Sequence, residues 1–222
     1  MTLQALTLAS THIIKHLTDK RPLFVALQGP QGSGKSYLAK ELRSNLGSPP
    51  HSLRVAVLSL DDLYLPHDGL VALAASSNVL WRGRGQPGTH DITLGIKILS
   101  ALMSGNGEVE LPRFDKSLFD GEGDRLPMDG TGTIILQPPP PDVVILEGWF
   151  VGFYPISEEE LQLRWHGTWK EERQKLKLEE NEIGRLSDIQ AVNDKLKDYV
   201  QIWDFFDIFL QVSPKLFLTI WR

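Results

Sequence analysis

The chain has 222 residues, 23 basic and 28 acidic side chains for a net charge of −5, and no cysteine. That length suits one α/β unit with a full core. The acidic balance argues against a nucleic-acid partner, which a basic footprint would announce, and the lack of thiols excludes disulfides and thiolate metal sites or nucleophiles.

Residues 1–20 read as an N-terminal amphipathic helix packed on the domain, because Leu3, Leu6, Ile13, Ile14 and Leu17 fall near one helical face. Residues 1–18 carry lysine and histidine but no acid, so a cytoplasmic location is expected and organellar import stays open. The apolar run 23–27 has strand length and leads into GPQGSGKS at 29–36, after which 36–46 reads as a helix. A second strand is expected at 55–60. Residues 62–142 are rich in glycine, proline and aspartate, and within them we expect a helix at 92–103, a turn at 105–107 and a short strand at 108–111. The four prolines Pro138, Pro139, Pro140 and Pro141 are a stiff turn into a third strand at 143–146, or else a polyproline ligand.

Ser157 and Glu160 have capping-box spacing and open a helix that runs through a charge-dense stretch toward Ile183. Another is expected from Ser187, with Gln190 three residues on. Its apolar positions Ile189, Val192, Leu196, Tyr199 and Trp203 form a core-facing stripe. A fourth strand follows at 208–212. Strands separated by helices predict a mostly parallel sheet with helices on both faces, in a single domain spanning 1–222. No apolar run reaches the length of a membrane span.

The segment Gly29, Pro30, Gln31, Gly32, Ser33, Gly34, Lys35, Ser36 fits the phosphate-binding pattern G-x-x-x-x-G-K-[ST], in the strand–loop–helix context it requires. Glycines let backbone N–H groups turn inward around anionic oxygens, and the helix N-terminus adds its positive end. Lys35 is placed to reach the β- and γ-phosphates and Ser36 to help hold Mg²⁺, with Tyr37 opening the helix beside them. The strand 143–146 ends in Glu147, which at the same sheet edge would face the phosphate loop and support the metal. The second strand ends in Asp61 and Asp62. An alcohol kinase needs a carboxylate near the acceptor hydroxyl, and we assign that part to Asp61, with Asp62 supporting the loop; a pair of turn carboxylates is the plainer alternative. Two polar loops then supply Arg84 and Arg113, cations suited to an anionic acceptor. The six histidines have no metal-ligand spacing.

GPQGSGKS, LSLDDLYLPH, RGQPGTHDITLG, LPRFDKSLFDGEGDR, DVVILEGWFVGF and VNDKLKDY, in this order, resemble the D-glycerate 3-kinase family, which includes fungal ATP-binding kinase-like proteins. More distantly they are similar to uridine kinase, phosphoribulokinase and pantothenate kinase. The resemblance implies a P-loop kinase fold with strand order 2-3-1-4, ATP with Mg²⁺, and phosphorylation of a small hydroxylated acceptor. It implies that Asp61 is the acceptor-side base, that His90, Asp115 and Lys116 line the acceptor pocket, and that Glu147 is the acid of the second nucleotide motif. Members of the family continue past the position of Trp221-Arg222 with a helix, a lid and a last strand, so these are expected to be missing here and the fold truncated at its C-terminus.

The expected function is ATP-dependent transfer of a phosphoryl group to a small anionic hydroxy compound, D-glycerate first among them. It would be bound among Asp62, Arg84, His90, Arg113, Asp115 and Lys116, with Asp61 and Lys35 catalytic. The alternative is an ATP-binding protein with little or no turnover. A regulatory GTPase or transport ATPase is disfavoured, since neither N-K-x-D nor L-S-G-G-Q occurs. Neither a membrane nor an obligate protein partner is called for.

Overall fold

Six consecutive residues of β1 (Leu23–Gln28) are buried, and so are all six of Val143–Gly148. Only a parallel sheet covered on both faces buries a strand so completely. In this computed structural model, which describes residues 3–19, 22–213 and the backbone of 219–221, both faces are covered by helices.

In chain order, α1 (Leu3–His16) precedes β1, and α2 (Lys35–Gly47) follows it, then β2 (Val55–Ser59), α3 (His67–Ala74) and α4 (Ile92–Ser104). Four short strands come next: β3 (Glu108–Leu111), β4 (Phe114–Asp115), β5 (Asp124–Arg125) and β6 (Thr133–Leu136). The chain then returns to the centre as β7 (Val143–Gly148). It continues through α5 (Glu158–His166), α6 (Thr168–Leu176), α7 (Glu180–Ile183) and α8 (Leu186–Trp203) to β8 (Ile208–Gln211) and β9 (Thr219–Trp221). The central sheet has the order β2-β7-β1-β8-β9. Its first four strands are parallel, in the 2-3-1-4 order of their occurrence.

Side chains alternate between the two faces of an extended strand, and two cores result. Val25 and Leu27 of β1 join Val143 and Ile145 of β7 against α1 and α2, through Ala9, Ile13, Leu38, Leu42 and Leu46. Phe24 and Ala26 join Val144 and Leu146 on the other face, against Ile98, Leu99 and Leu102 of α4 and Tyr199, Ile202 and Trp203 of α8. Truncating one of these leucines to alanine typically costs about 2–5 kcal/mol. In the 62–142 region, β3 pairs with β6 and β4 with β5 as two antiparallel ribbons. No helix among the described residues is long and apolar enough to cross a membrane.

Three expectations need correcting. The helix anticipated from Ser157 toward Ile183 is three helices. Ser157 does cap the Glu160 N–H at 3.2 Å, but Gly167 leaves helical geometry at φ −99°, ψ −114° and Lys177 turns left-handed at φ 54°. The next helix starts at Leu186, and its N-terminal bond is Arg185 N–H to the Asp188 carboxylate at 2.8 Å rather than a Ser187–Gln190 box. A further strand, β9, lies antiparallel beside β8 where the sequence called for none. Residues 214–218 and 222 of the tail lie outside the described residues.

Candidate active site

The parallel register carries three strand ends to one row. Leu27 of β1 and Ser59 of β2 both lie beside Glu147 of β7, so whatever follows each strand emerges at the same edge. After β1 comes the phosphate loop. Gly32 and Gly34 have φ of 74° and 84°, which side-chain-bearing residues rarely adopt. A Cβ on buried Gly29 would stand 2.7 Å from Ser33 Oγ and 3.0 Å from the Val212 carbonyl. Ser33 N–H bonds to the Pro30 carbonyl at 3.1 Å and closes the turn. Lys35 opens α2, whose buried Leu38, Ala39, Leu42 and Leu46 seat it on the sheet. Gln31 and Tyr37 are exposed, Tyr37 at 58%.

Ser36 Oγ donates to Glu147 Oε1 at 2.8 Å. Glu147 is 5% exposed, and its Oε2 is buried with no partner among the described residues. An orphaned buried carboxylate oxygen is costly. A hydroxyl and a carboxylate, at a loop built for phosphates, fit Mg²⁺, which takes oxygen ligands and keeps several of its waters. No cluster of three acidic or histidine side chains among the described residues makes a protein-only cage. The donor set therefore suits a cation shared with a phosphate.

After β2 the chain tightens into a 3-10 turn, Leu60–Leu63, in which the two aspartates part. Asp61 Oδ1 accepts from the Tyr64 hydroxyl at 3.2 Å and Oδ2 from Lys116 Nζ at 2.5 Å. Asp62 Oδ1 accepts the Phe114 N–H at 3.1 Å, which ties β4 to the end of β2. Burial pushes the Asp62 carboxyl up to about 6 against that bond, with the Asp61 and Glu147 charges adding to the rise. Burial, then the Asp61 charge, also raises the Tyr64 phenol, which keeps it a donor.

Asp61, Tyr64, Arg82, Arg84 and Lys116 line one cavity of about 660 Å³ together with Gln31 of the phosphate loop. Arg84 braces its rim: Nη1 donates to the Gly121 carbonyl at 2.7 Å and to the Glu122 carbonyl, with the guanidinium 5.5 Å over the Phe114 ring.

Four residues expected at the acceptor do not line this cavity. Asp62 is spent on the Phe114 amide. Arg113 turns to the 129–132 turn, where Nη2 donates to Thr131 Oγ1 at 2.7 Å. Asp115 accepts from the Ser117 N–H and hydroxyl, which holds its carboxyl below the usual range and shapes the turn that presents Lys116. His90 is 5% exposed and stacks behind Tyr64, with ring centroids 4.4 Å apart. Burial pushes its imidazole down to about 3. Tyr64 and Arg82 line the cavity without having been assigned to it. Tyr64, three positions after Asp61, is within reach in any tight turn. Tyr199 is core, as read, and its buried hydroxyl meets His90 Nδ1 at 2.8 Å.

No family model matches the chain. It is 42% identical over 148 residues to the "Probable ATP-dependent kinase TDA10" of Saccharomyces cerevisiae, covering 63% of this chain and 49% of that one. It therefore spans about half the length of that relative. It is 38% identical over 208 residues to the "Uncharacterized kinase mug58" of Schizosaccharomyces pombe, covering 92% of this chain and 69% of the relative. The solved D-glycerate 3-kinase of Cryptococcus neoformans superposes with a TM-score of 0.81 at 32% identity, over 96% of this chain and 74% of that one.

Proposed function

The chain belongs to the D-glycerate 3-kinase family of P-loop kinases, and from that premise we propose that it transfers the γ-phosphoryl group of ATP to a hydroxyl of a small anionic acceptor. D-Glycerate is the first candidate, after the D-glycerate 3-kinase of Cryptococcus. One observation carries most of the support: Gln31 of the phosphate loop and the Asp61–Lys116 pair line the same cavity. A donor phosphate and an acceptor hydroxyl could therefore meet there.

In this reading residues 1–222 act as one kinase unit, with 62–142 supplying the acceptor side. The turned-in N–H groups of the loop and Lys35 bind the phosphates. Ser36 and Glu147 would hold Mg²⁺, which when bound offsets the charge of the phosphate oxygens. Lys116 and Arg84 attract the acceptor's anionic group, and Asp61 takes the hydroxyl proton. The acceptor oxygen–phosphorus bond forms as the bond from the γ-phosphorus to the bridging oxygen breaks, and ADP leaves with that electron pair. Lys116 occupies Asp61 Oδ2 before the acceptor arrives, so an incoming anion would draw the ammonium away and free the carboxylate.

Coupled ADP release against a panel of hydroxy acids and neutral nucleosides tests this. Turnover with D-glycerate or a similar acid is the expected result. Good turnover of nucleosides with none of the acids would overturn the anionic acceptor. ATP binding without turnover on any acceptor would leave a nucleotide-binding module.

A further inference from the structure

Tyr199 of α8 has none of its surface exposed, and its ring packs beside His90, Phe150 and Trp203. A phenol buried this deeply needs a partner for its hydroxyl. That oxygen accepts the Gly88 N–H at 2.9 Å and lies 2.8 Å from His90 Nδ1. A hydroxyl has one hydrogen to give. Gly88 brings its own, and His90 Nε2 is buried with no partner among the described residues. Were Nδ1 to donate as well, both the phenol hydrogen and the Nε2 lone pair would be left unpaired, whereas a phenol hydrogen given to Nδ1 leaves only the Nε2–H without a partner, so the phenol hydrogen is assigned to Nδ1. Burial keeps His90 neutral, and a neutral ring accepting at Nδ1 carries its proton on Nε2.

The contact reaches onward to the acceptor side. The His90 ring stacks on Tyr64 at an interplanar angle of 28°, and the two backbones bridge antiparallel. Tyr64 in turn donates to Asp61. The loop that carries His90 contains Gly85 at φ 137° and Gly88 at φ 104°; Thr89 Oγ1 closes it on the Gln86 carbonyl at 2.7 Å and Trp81 Nε1 donates to the Pro87 carbonyl at 2.9 Å, but neither bond reaches the Gly88 N–H or the His90 ring. Tyr199 reaches it from a helix 109 residues away in sequence.

Resting on the reading of Asp61 as proton acceptor, we propose that Tyr199 is a positioning residue. Its hydroxyl holds the Gly88 turn and the His90 plane behind Tyr64, and so sets the orientation of Asp61 in the cleft. No part of this acts on the phosphate loop, so its effect falls on the acceptor alone.

Tyr199→Phe keeps the ring and removes both bonds. Nitrogen NMR of the His90 imidazole reads the tautomer, and the unmutated chain should show Nε2–H with a bare Nδ1. In the variant that preference weakens, since among the described residues the hydrogen-bond partner left near Nδ1 is Thr89 Oγ1 at 3.5 Å. With an acceptor from the panel, its KM should rise by about three- to tenfold, while ATP affinity stays within about twofold.

A purely structural role would lower the melting temperature and leave the acceptor KM where it was, and that result overturns the proposal. So does Nδ1–H on His90 in the unmutated chain, a measurement that stands even if the variant does not fold. The tautomer measurement needs no turnover, so failure of the kinase reading is distinguishable from failure of this one.

Discussion

Ser36 Oγ donates to Glu147 Oε1 across 2.8 Å and ties the first turn of α2 to the end of β7. Those two residues lie 111 positions apart in sequence, and the second carboxylate oxygen of Glu147 is left buried and unpaired. Glu147→Gln keeps the shape and gives up the charge. Mg²⁺-dependent phosphoryl transfer should fall by at least about tenfold, more than nucleotide binding measured in EDTA. Equal losses in both measurements, or none, would leave Glu147 as a structural partner of Ser36 alone.

Lys35 begins α2 directly after the left-handed Gly34, at the helix end where phosphates gather. Lys35→Ala is expected to weaken ATP·Mg²⁺ binding by at least about tenfold, since a charge-assisted contact to phosphate is worth ~1.5–3 kcal/mol. The fold should be intact by circular dichroism, because the lysine joins neither core. Calorimetry on the folded variant that returned an unchanged affinity would sink the phosphate-loop assignment.

Asp61 and Asp62 are adjacent, yet one opens on the cleft and the other braces β4. Positioned proton transfer contributes about 10²–10⁴ in rate. Asp61→Asn should therefore lower kcat by that order with ATP affinity little changed, while Asp62→Asn should act on stability or acceptor KM. Steady-state kinetics on both variants decides between them, and a larger kcat loss at Asp62 reverses the roles.

The Asp62 carboxyl has its own signature in stability. Its folded pKa lies at about 6, above the ordinary 3.8 of an aspartate. The protonated form is thus favoured by folding, and the stability it lends is fully present below pH 3.8 and lost as pH rises through 6. The shift corresponds to up to ~3 kcal/mol. Between pH 4 and 6.5 the unmutated chain should lose more stability than Asp62→Asn, as measured by urea unfolding at each pH. Parallel curves for the two chains would remove Asp62 from the account.

Much of this was legible in the sequence because it depends on near neighbours. A glycine pattern that demands positive φ, a lysine at the head of a helix and strands apolar along their whole length are set within a few residues. The acid at the end of β7 follows once a parallel sheet is granted, whereas the strand order came only with the family resemblance. The division of labour at the acceptor was not legible to the same degree. Arg113 and His90 sit in polar loops that look equally able to face a ligand. Arg113 turns to Thr131 and His90 is sealed behind Tyr64, because the nearest partners were supplied by segments folded against them. Asp62 meets an amide 52 residues on, and Tyr199 meets His90 at a separation of 109. Where a side chain's hydrogen bond is made inside its own turn, the sequence alone determines the outcome. Where the partner arrives from another element, only the packing of the whole chain decides it, since a buried polar group takes whichever partner the fold brings within 3 Å or so.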